Sequence, residues 1–251
     1  MTTQLLFGEI FTILQTSENQ KWLEIEIFHD NYVGWIDALQ CTPVSKKYFK
    51  DYTKNISKYP NLSDHTAYFE KHIQISSPIL IVGSVIPFLG KVPSDGTIKF
   101  KIAKQTYILD TYFFSHNNFE KKTKTNIMAQ IFDNALSYLE TPYLWGGRTI
   151  FGIDCSGFIQ QIFRSVGYYL PRDAYQQAEK GKTVSFEKKK ATDLAFFMRD
   201  DKIIHVGIVL ENGKIIHARG QVRIDTLDKT GIFDENTKEY SHQLAFIKRI
   251  L

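Results

Sequence analysis

The spacing of hydrophobic and polar positions changes character several times along the chain. Residues 1–45 alternate over short runs, Gln4 to Ile10, Phe11 to Gln15, Trp22 to Phe28 and Tyr32 to Ala38, broken by Ser17-Glu18-Asn19 and His29-Asp30-Asn31. That pattern predicts four short strands in a small all-β unit, with Trp22, Ile25, Ile27 and Trp35 as the bulky residues a barrel would pack. A second set, Ile79 to Val82, Gly83 to Pro87, Gly96 to Ala103 and Gln105 to Leu109, predicts another β unit across about residues 73–115. Ser45 to Lys71, polar and aromatic, assigns to no element. From Ile127 the period becomes helical, through Ile131, Ala135, Leu136 and Leu139, and Thr141-Pro142 stops it. Helical and sheet segments then alternate to the C-terminus. The expected domains are 1–45, 46–120 (a linker and the second β unit) and 121–251, with the last boundary in Phe119 to Thr125. The last of them is α+β.

One stretch of the third domain carries chemistry. Tyr143-Leu144-Trp145-Gly146-Gly147 precedes Ile153-Asp154-Cys155-Ser156-Gly157-Phe158, after which Phe158, Ile159, Ile162, Phe163 and Val166 mark one helical face and Gly167 ends it. Asp154 is then the N-cap and Cys155 lies in the first turn, where unpaired N–H groups and the helix dipole favour a thiolate. A thiol so placed needs a base. About fifty residues on, the β-branched runs Ile203 to Leu210 and Lys214 to Ala218 flank Glu211-Asn212-Gly213 and read as a hairpin. A two-residue Asn-Gly loop would pair His217 with Ile208 and send His205 and His217 to opposite faces. A three-residue loop, with Gly213 in the left-handed position, sets His217 opposite Gly207. The histidines then share a face as diagonal neighbours, roughly 7 Å apart. Ile204, Val206, Ile208, Leu210, Ile216 and Ala218 form an apolar face behind them. The three-residue loop is the prediction. Cys155 is the expected nucleophile, His205 its general base and His217 the group that orients His205.

Composition narrows the setting. The net charge is +4, and the runs Lys121-Lys122-Thr123-Lys124 and Lys188-Lys189-Lys190 read as solvated connections, so no nucleic-acid partner is expected. No stretch approaches the ~20 apolar residues of a membrane span. The N-terminus lacks a basic segment followed by an apolar core, since Glu9 interrupts it early. That predicts a cytoplasmic protein, or an extracytoplasmic one if a signal peptide has been removed. Two cysteines suit a reducing compartment, and Cys41 is expected to be a small buried filler. Zinc is not expected, because no pair shows ligand spacing such as Cys-x-x-Cys; no cofactor of any kind is expected. The protein is expected to be a monomer.

Pro142 to Gly147, Asp154 to Phe158, Leu170-Pro171-Arg172-Asp173-Ala174-Tyr175-Gln176-Gln177, Asp193 to Phe197, His205 to Ile208 and Ile216 to Ala218 together resemble the NlpC-type cysteine peptidases of bacterial cell-wall metabolism. The resemblance runs from about Asn126 to the C-terminus and implies a papain-like fold. It also implies a Cys155–His205–His217 triad and a Tyr143 hydroxyl beside the nucleophile that aids the oxyanion site. Trp22 to Ile27 with Asp30 to Ile36 resembles bacterial SH3-like modules, so the expected architecture is two small SH3-like barrels ahead of the peptidase domain.

Two β modules before such a domain resemble a narrower group, the γ-D-glutamyl-L-diamino acid endopeptidases that recycle wall peptides. They cut murein peptides with a free N-terminal L-Ala and release L-Ala-γ-D-Glu. The resemblance implies that Asp173, in Arg172-Asp173-Ala174, receives the substrate ammonium, and that Glu9 and Tyr32 complete that amine site. Ala174 stands where many relatives have Ser. Trp145, Asp154 and Ser156 join Tyr143 in the implied substrate-binding set. Two other readings are a secreted endopeptidase acting on intact peptidoglycan and a noncatalytic binder of wall fragments. The diamino acid preferred at the leaving position is not legible from these residues.

Overall fold

The computed structural model describes residues 1–56, 80–91, 93, 96–103, 105–110 and 123–251. The expected strand start at Ile79, the lysines 121 and 122, most of the 119–125 boundary and the end of the unassigned 45–71 stretch lie outside them. The chain divides into two compact units, one of residues 5–120 and one that joins Met1–Gln4 to residues 121–251.

In the smaller unit, β1 (Phe11–Thr16), β2 (Trp22–Ile27) and β3 (Val33–Asp37) form an antiparallel sheet in that order. Period-two alternation decides what each side chain does. Leu23, Ile25 and Ile27 are buried, while Trp22 and Trp35, expected inside, are 47% and 48% exposed. Trp35 pairs across the sheet with Glu24, and Trp22 with Asp37, so both tryptophans lie on the polar face. The unassigned stretch opens with α1 (Lys46–Asn55), capped by Ser45 and anchored by buried Tyr52. Further on, β4 (Thr97–Ile102) and β5 (Gln105–Asp110) pair as predicted and bury Ile98, Phe100 and Leu109 with Ile86.

One expected strand is a turn instead, and a turn also falls in the first part of the second β unit. Gln4 to Ile10 contains Gly8 at φ +80°, and the Glu9 N–H donates to the Leu6 carbonyl at 3.1 Å. Gly83, at φ +87°, sits in a turn closed by Ser84 N–H on Ile81 O. Left-handed residues end ladders, and the strands that remain among the described residues are too few to close a barrel. Among the described residues, an open three-stranded sheet and a two-stranded ladder stand where the two N-terminal barrels were expected.

The closed barrel is in the larger unit. After α2 (Lys124–Leu136) come the short pair β6 (Arg148–Thr149) and β7 (Gly152–Ile153), then α3 (Cys155–Ser165) and α4 (Ala174–Gln177). The strands β8 (Lys182–Val184), β9 (Leu194–Arg199), β10 (Lys202–Val209), β11 (Lys214–Arg219), β12 (Gln221–Leu227), β13 (Gly231–Asp234) and β14 (Glu239–Arg249) follow. Antiparallel pairing runs β13-β12-β11-β10-β9-β14, and β13 also pairs with β14, which closes the ring; β8 adds to β14. The barrel strands contribute apolar side chains to two separate cores. Ala195, Phe197, Val209, Ile215, Leu227, Ile232 and Ile247 make one core, while Phe196, Val206, Ile208, Ile216 and Ala218 face the helices with Phe158, Ile159 and Ile162.

The hairpin register is the predicted one: Ile208 pairs with Ile216, so His217 falls opposite Gly207. Its origin differs in detail. Both Asn212 (φ +55°) and Gly213 (φ +68°) are left-handed, and Lys214 N–H donates to Glu211 O, so Asn-Gly is itself a tight turn. Leu210 N–H also reaches Lys214 O, which leaves Glu211 as the extra residue of a bulge facing Lys214. A second irregularity between Ile203 and His205 turns Ile204 outward, 39% exposed, so the apolar face loses that one member. Deleting Glu211 should leave Asn212-Gly213 as a plain two-residue loop that still joins Leu210 to Lys214. The expected result is that His217 stays opposite Gly207, with the thermal midpoint and any His217-dependent activity retained; loss of both would mean that β11 had slipped.

Candidate active site

Local chemistry holds Cys155 where the helix begins. Asp154 is the N-cap of α3, with φ −96° and ψ 175°, and its Oδ1 accepts the Gly157 N–H at 2.7 Å. Its Oδ2 accepts the Gly146 N–H at 2.8 Å, which ties the glycine-rich loop to the same carboxylate. Arg172 closes the group, Nη2 on Asp154 Oδ2 at 2.6 Å and Nη1 on Oδ1 at 3.0 Å, with a further bond to Ser156 Oγ at 2.9 Å. Asp154, Ser156 and Arg172 are all buried, and both oxygens of Asp154 receive donors from within the domain. Their geometry makes them a frame for the thiol. Glycine is needed at 157 because a Cβ there would sit 2.3 Å from the Gly147 carbonyl oxygen. The N-terminal segment joins this frame through Thr3 Oγ1 on Arg172 and Gln4 on Arg148.

His205 and His217 share a face of the β10–β11 hairpin. His205 Nε2 lies 2.8 Å from His217 Nδ1, with the rings near perpendicular at 83°. Gly207 makes the room, since a Cβ there would stand 2.9 Å from the His217 Cβ. His217 Nε2 continues to Asp225 Oδ2 at 2.9 Å, and Asp225 Oδ1 accepts from Arg223 at 2.8 Å. His242, on β14, stacks on His205 with ring centroids 4.2 Å apart. Asp225 and His242 are absent from the sequence reading. Arg223 and Asp225 do show as charged positions alternating with Val222 and Ile224, but only the register of β12 on β11 aims them at His217. Nothing near His242 in the chain points to His205.

The electrostatics correct one expectation. Burial, then the Asp154 charge, push the Cys155 thiol up to about 12, although the backbone N–H groups of Val206 and Ser156 and the Arg172 charge pull the other way. The helix start is real, yet desolvation outweighs it. The Val206 contact also places the sulfur against the strand that carries His205. Burial, with the neighbouring His217, His242 and Arg219, holds His205 well below the ordinary 6.5. At neutral pH both groups are therefore uncharged. Tyr143, half-buried, is raised by desolvation and then by the charges at Cys155 and Asp154, so its hydroxyl keeps its proton beside the sulfur.

The remaining expected site residues are divided between the two units. Trp145 is 69% exposed on the loop. Asp173, half-buried, starts the short α4, its N–H donating to Gln176 Oε1 at 3.3 Å, and Ala174 is buried behind it. Glu9 and Tyr32 belong to the smaller unit. There the Glu9 carboxylate accepts Leu6 N–H at 2.9 Å and lies 3.4 Å from His29 Nε2, and Tyr32 packs against the Leu23-Ile25-Ile27 core. Cys41 is half-buried in that unit and bonds the Ala38 carbonyl at 3.3 Å; both cysteines are free thiols.

A buried thiol at a helix start, packed on a barrel strand beside a paired imidazole, defines a cysteine peptidase. The sequence model of the NlpC/P60 family matches residues 140–240, and that of the bacterial dipeptidyl-peptidase Sh3 domain matches residues 1–40. The chain is 31% identical to the gamma-D-glutamyl-L-lysine dipeptidyl-peptidase of Bacillus subtilis (strain 168), over 86% of this chain and 71% of that one. It is 25% identical to the protein of the same name from Bacillus cereus (strain ATCC 10987 / NRS 248), over 94% and 73%. A crystal structure of an NlpC/P60 family protein from Bacillus cereus ATCC 10987 shares the fold, with a TM-score of 0.78 at 23% identity, covering 100% of this chain and 82% of that one. This chain belongs to the NlpC/P60 family, with an SH3-like β-sheet ahead of its α+β catalytic domain.

Two outcomes follow from the frame and its charges. Arg172→Leu should cost about 3–5 kcal/mol in urea unfolding, because it strands the buried Asp154 carboxylate. A lowered His205 takes up a proton only as pH falls through that lowered value, and the neutral ring persists above it. The acid limb of kcat/KM should therefore lie below pH 6.5, with activity level above it, as a pH–rate profile would show.

Proposed function

We propose that this chain hydrolyses the bond between γ-D-Glu and a diamino acid in murein peptides with a free N-terminal L-Ala, releasing L-Ala-γ-D-Glu. Cys155 is the nucleophile, His205 the general base and His217 its orienting partner. The observation that carries the reading is the 2.8 Å His205–His217 pair, with His205 next to Val206, whose backbone N–H reaches the Cys155 sulfur. The likeness to two gamma-D-glutamyl-L-lysine dipeptidyl-peptidases supports the bond cleaved.

The chemistry balances with these groups alone. His205 takes the thiol proton as sulfur bonds to the γ-carbonyl carbon, and the carbonyl electrons move to oxygen, where the protonated Tyr143 hydroxyl donates. The C–N bond then breaks, and His205 returns the proton to the leaving amine. Water, deprotonated by the same imidazole, opens the thioester and frees the dipeptide. Selection of a free amine is the role proposed for Asp173. An acylated alanine would leave that carboxylate without its ammonium, and such a mismatch can be worth several powers of ten.

Among the described residues no helix is long and apolar enough to cross a membrane. Action on free peptides rather than intact wall is tested directly by mass spectrometry of products from L-Ala-γ-D-Glu-L-Lys, its diaminopimelate counterpart, N-acylated controls and sacculi. Release of L-Ala-γ-D-Glu from the free tripeptides alone is expected, and activity confined to sacculi would overturn the proposal. Cys155→Ala should abolish turnover yet still bind tripeptide in calorimetry. Asp173→Ala should lose mainly the preference for free over acylated amines, read as the ratio of kcat/KM values.

A further inference from the structure

The polar chain behind the base has a direction. An ionised carboxylate only accepts hydrogen bonds, so the 2.9 Å contact to Asp225 Oδ2 puts a hydrogen on His217 Nε2. Burial keeps His217 uncharged, and a neutral imidazole has a single N–H. Its Nδ1 is bare, and the hydrogen in the 2.8 Å contact belongs to His205 Nε2. His205 therefore presents a lone pair at Nδ1.

We propose that Asp225 is a positioning residue of this enzyme: through His217 it sets the tautomer of His205, so that Nδ1 faces the reaction as the base. The inference rests on His205 being the base of Cys155. Arg223 makes the direction robust. Its Nη2 donates to Asp225 Oδ1 at 2.8 Å and to Asp234 Oδ1 at 3.0 Å, and Asp234 is held in turn by Arg219 at 2.7 Å. Asp225 is 3% exposed, and Arg223 and Asp225 leave the sheet on the same side as His217, opposite Arg223 in the ladder. Burial raises the Asp225 carboxyl, but the bonds from His217 and Arg223 outweigh it and leave the group below its ordinary range, ionised at neutral pH. Orienting partners of this kind fix the ring as well as its tautomer.

The arrangement makes an unusual demand of the isosteric variant Asp225→Asn. Arg223 can only donate, so the amide oxygen must face it and the amide nitrogen must face His217 Nε2. That nitrogen becomes an acceptor, the His217 hydrogen moves to Nδ1, and His205 Nε2 must then accept. His205 ends with its hydrogen on Nδ1 and no lone pair for the thiol. A wrong tautomer at a catalytic histidine can cost roughly 10⁴-fold.

The test is the ¹⁵N spectrum of the histidine rings in the full chain, with assigned His205 and His217. Nε2–H on both rings in the native protein supports the proposal, and Nδ1–H on His205 overturns it. Asp225→Asn should switch both rings to Nδ1–H, lower kcat about 10²- to 10⁴-fold with KM within about twofold, and slow iodoacetamide alkylation of Cys155 in parallel. Native kcat and alkylation in Asp225→Asn would sink it. Adding Arg223→Met frees the amide to rotate and should restore at least about tenfold of the lost kcat, which a merely misfolded variant would not. Should Asp225→Asn fail to fold, the native spectrum decides alone. Spectrum and alkylation need no substrate, so a wrong murein-peptide assignment would show as absent turnover while the tautomers remained readable.

Discussion

A single carboxylate organises the nucleophile side of this molecule. Asp154 caps α3, draws in the loop through Gly146 and receives the forked guanidinium of Arg172, all within a buried region. A buried ion pair adds little net stability, because desolvation consumes most of its Coulombic gain; its value is that its geometry has few alternatives. The bidentate fork leaves the helix start, the loop and the Pro171–Asp173 turn little freedom to move independently. The same charge has a chemical consequence, since it helps to keep the nearby thiol protonated. The frame holds Cys155 as a protonated thiol, the form from which the proposed mechanism starts.

The base side depends on strand alternation. Because Glu211 bulges instead of pairing with Lys214, His217 faces His205 and not the helix layer, and the register then brings β12 alongside so that Arg223 and Asp225 extend the row. The resulting series of buried polar groups, from His205 through Asp225 to Asp234, is paired at each link. In a low-dielectric interior such a series is costly when broken and specific when complete. Gly207 belongs to the same design, since any side chain there would push on His217.

Much of this is legible in the chain where the signal is local. Asp154 before an apolar helical face marks cap and helix together, and Gly167, at φ +89°, ends the element as its sequence position suggests. Asn212-Gly213 between two β-branched runs marks the hairpin, and the demand that one face be apolar selects its register. Local signals misled where glycines do two jobs. Gly8 sits in a run that reads as a strand, but its left-handed conformation makes a turn, and the N-terminal strands among the described residues close no barrel. Trp22 and Trp35 were expected inside by bulk, whereas their parity with Glu24 puts them outside.

Residue order alone settled the elements whose cause lies within a few positions: the capped helix bearing Cys155, the hairpin bearing both histidines, and the α+β class. Folding in three dimensions decided the rest. Asp225 is eight residues from His217 in sequence and His242 twenty-five, and neither spacing carries a helical or hairpin signal that would unite them with His205. Closure of β13 on β14 brings His242 over the ring, and burial, a property of the assembled core, sets the ionisation of Cys155 and His205. Desolvation is a sum over everything packed around a group, which no short window of sequence contains.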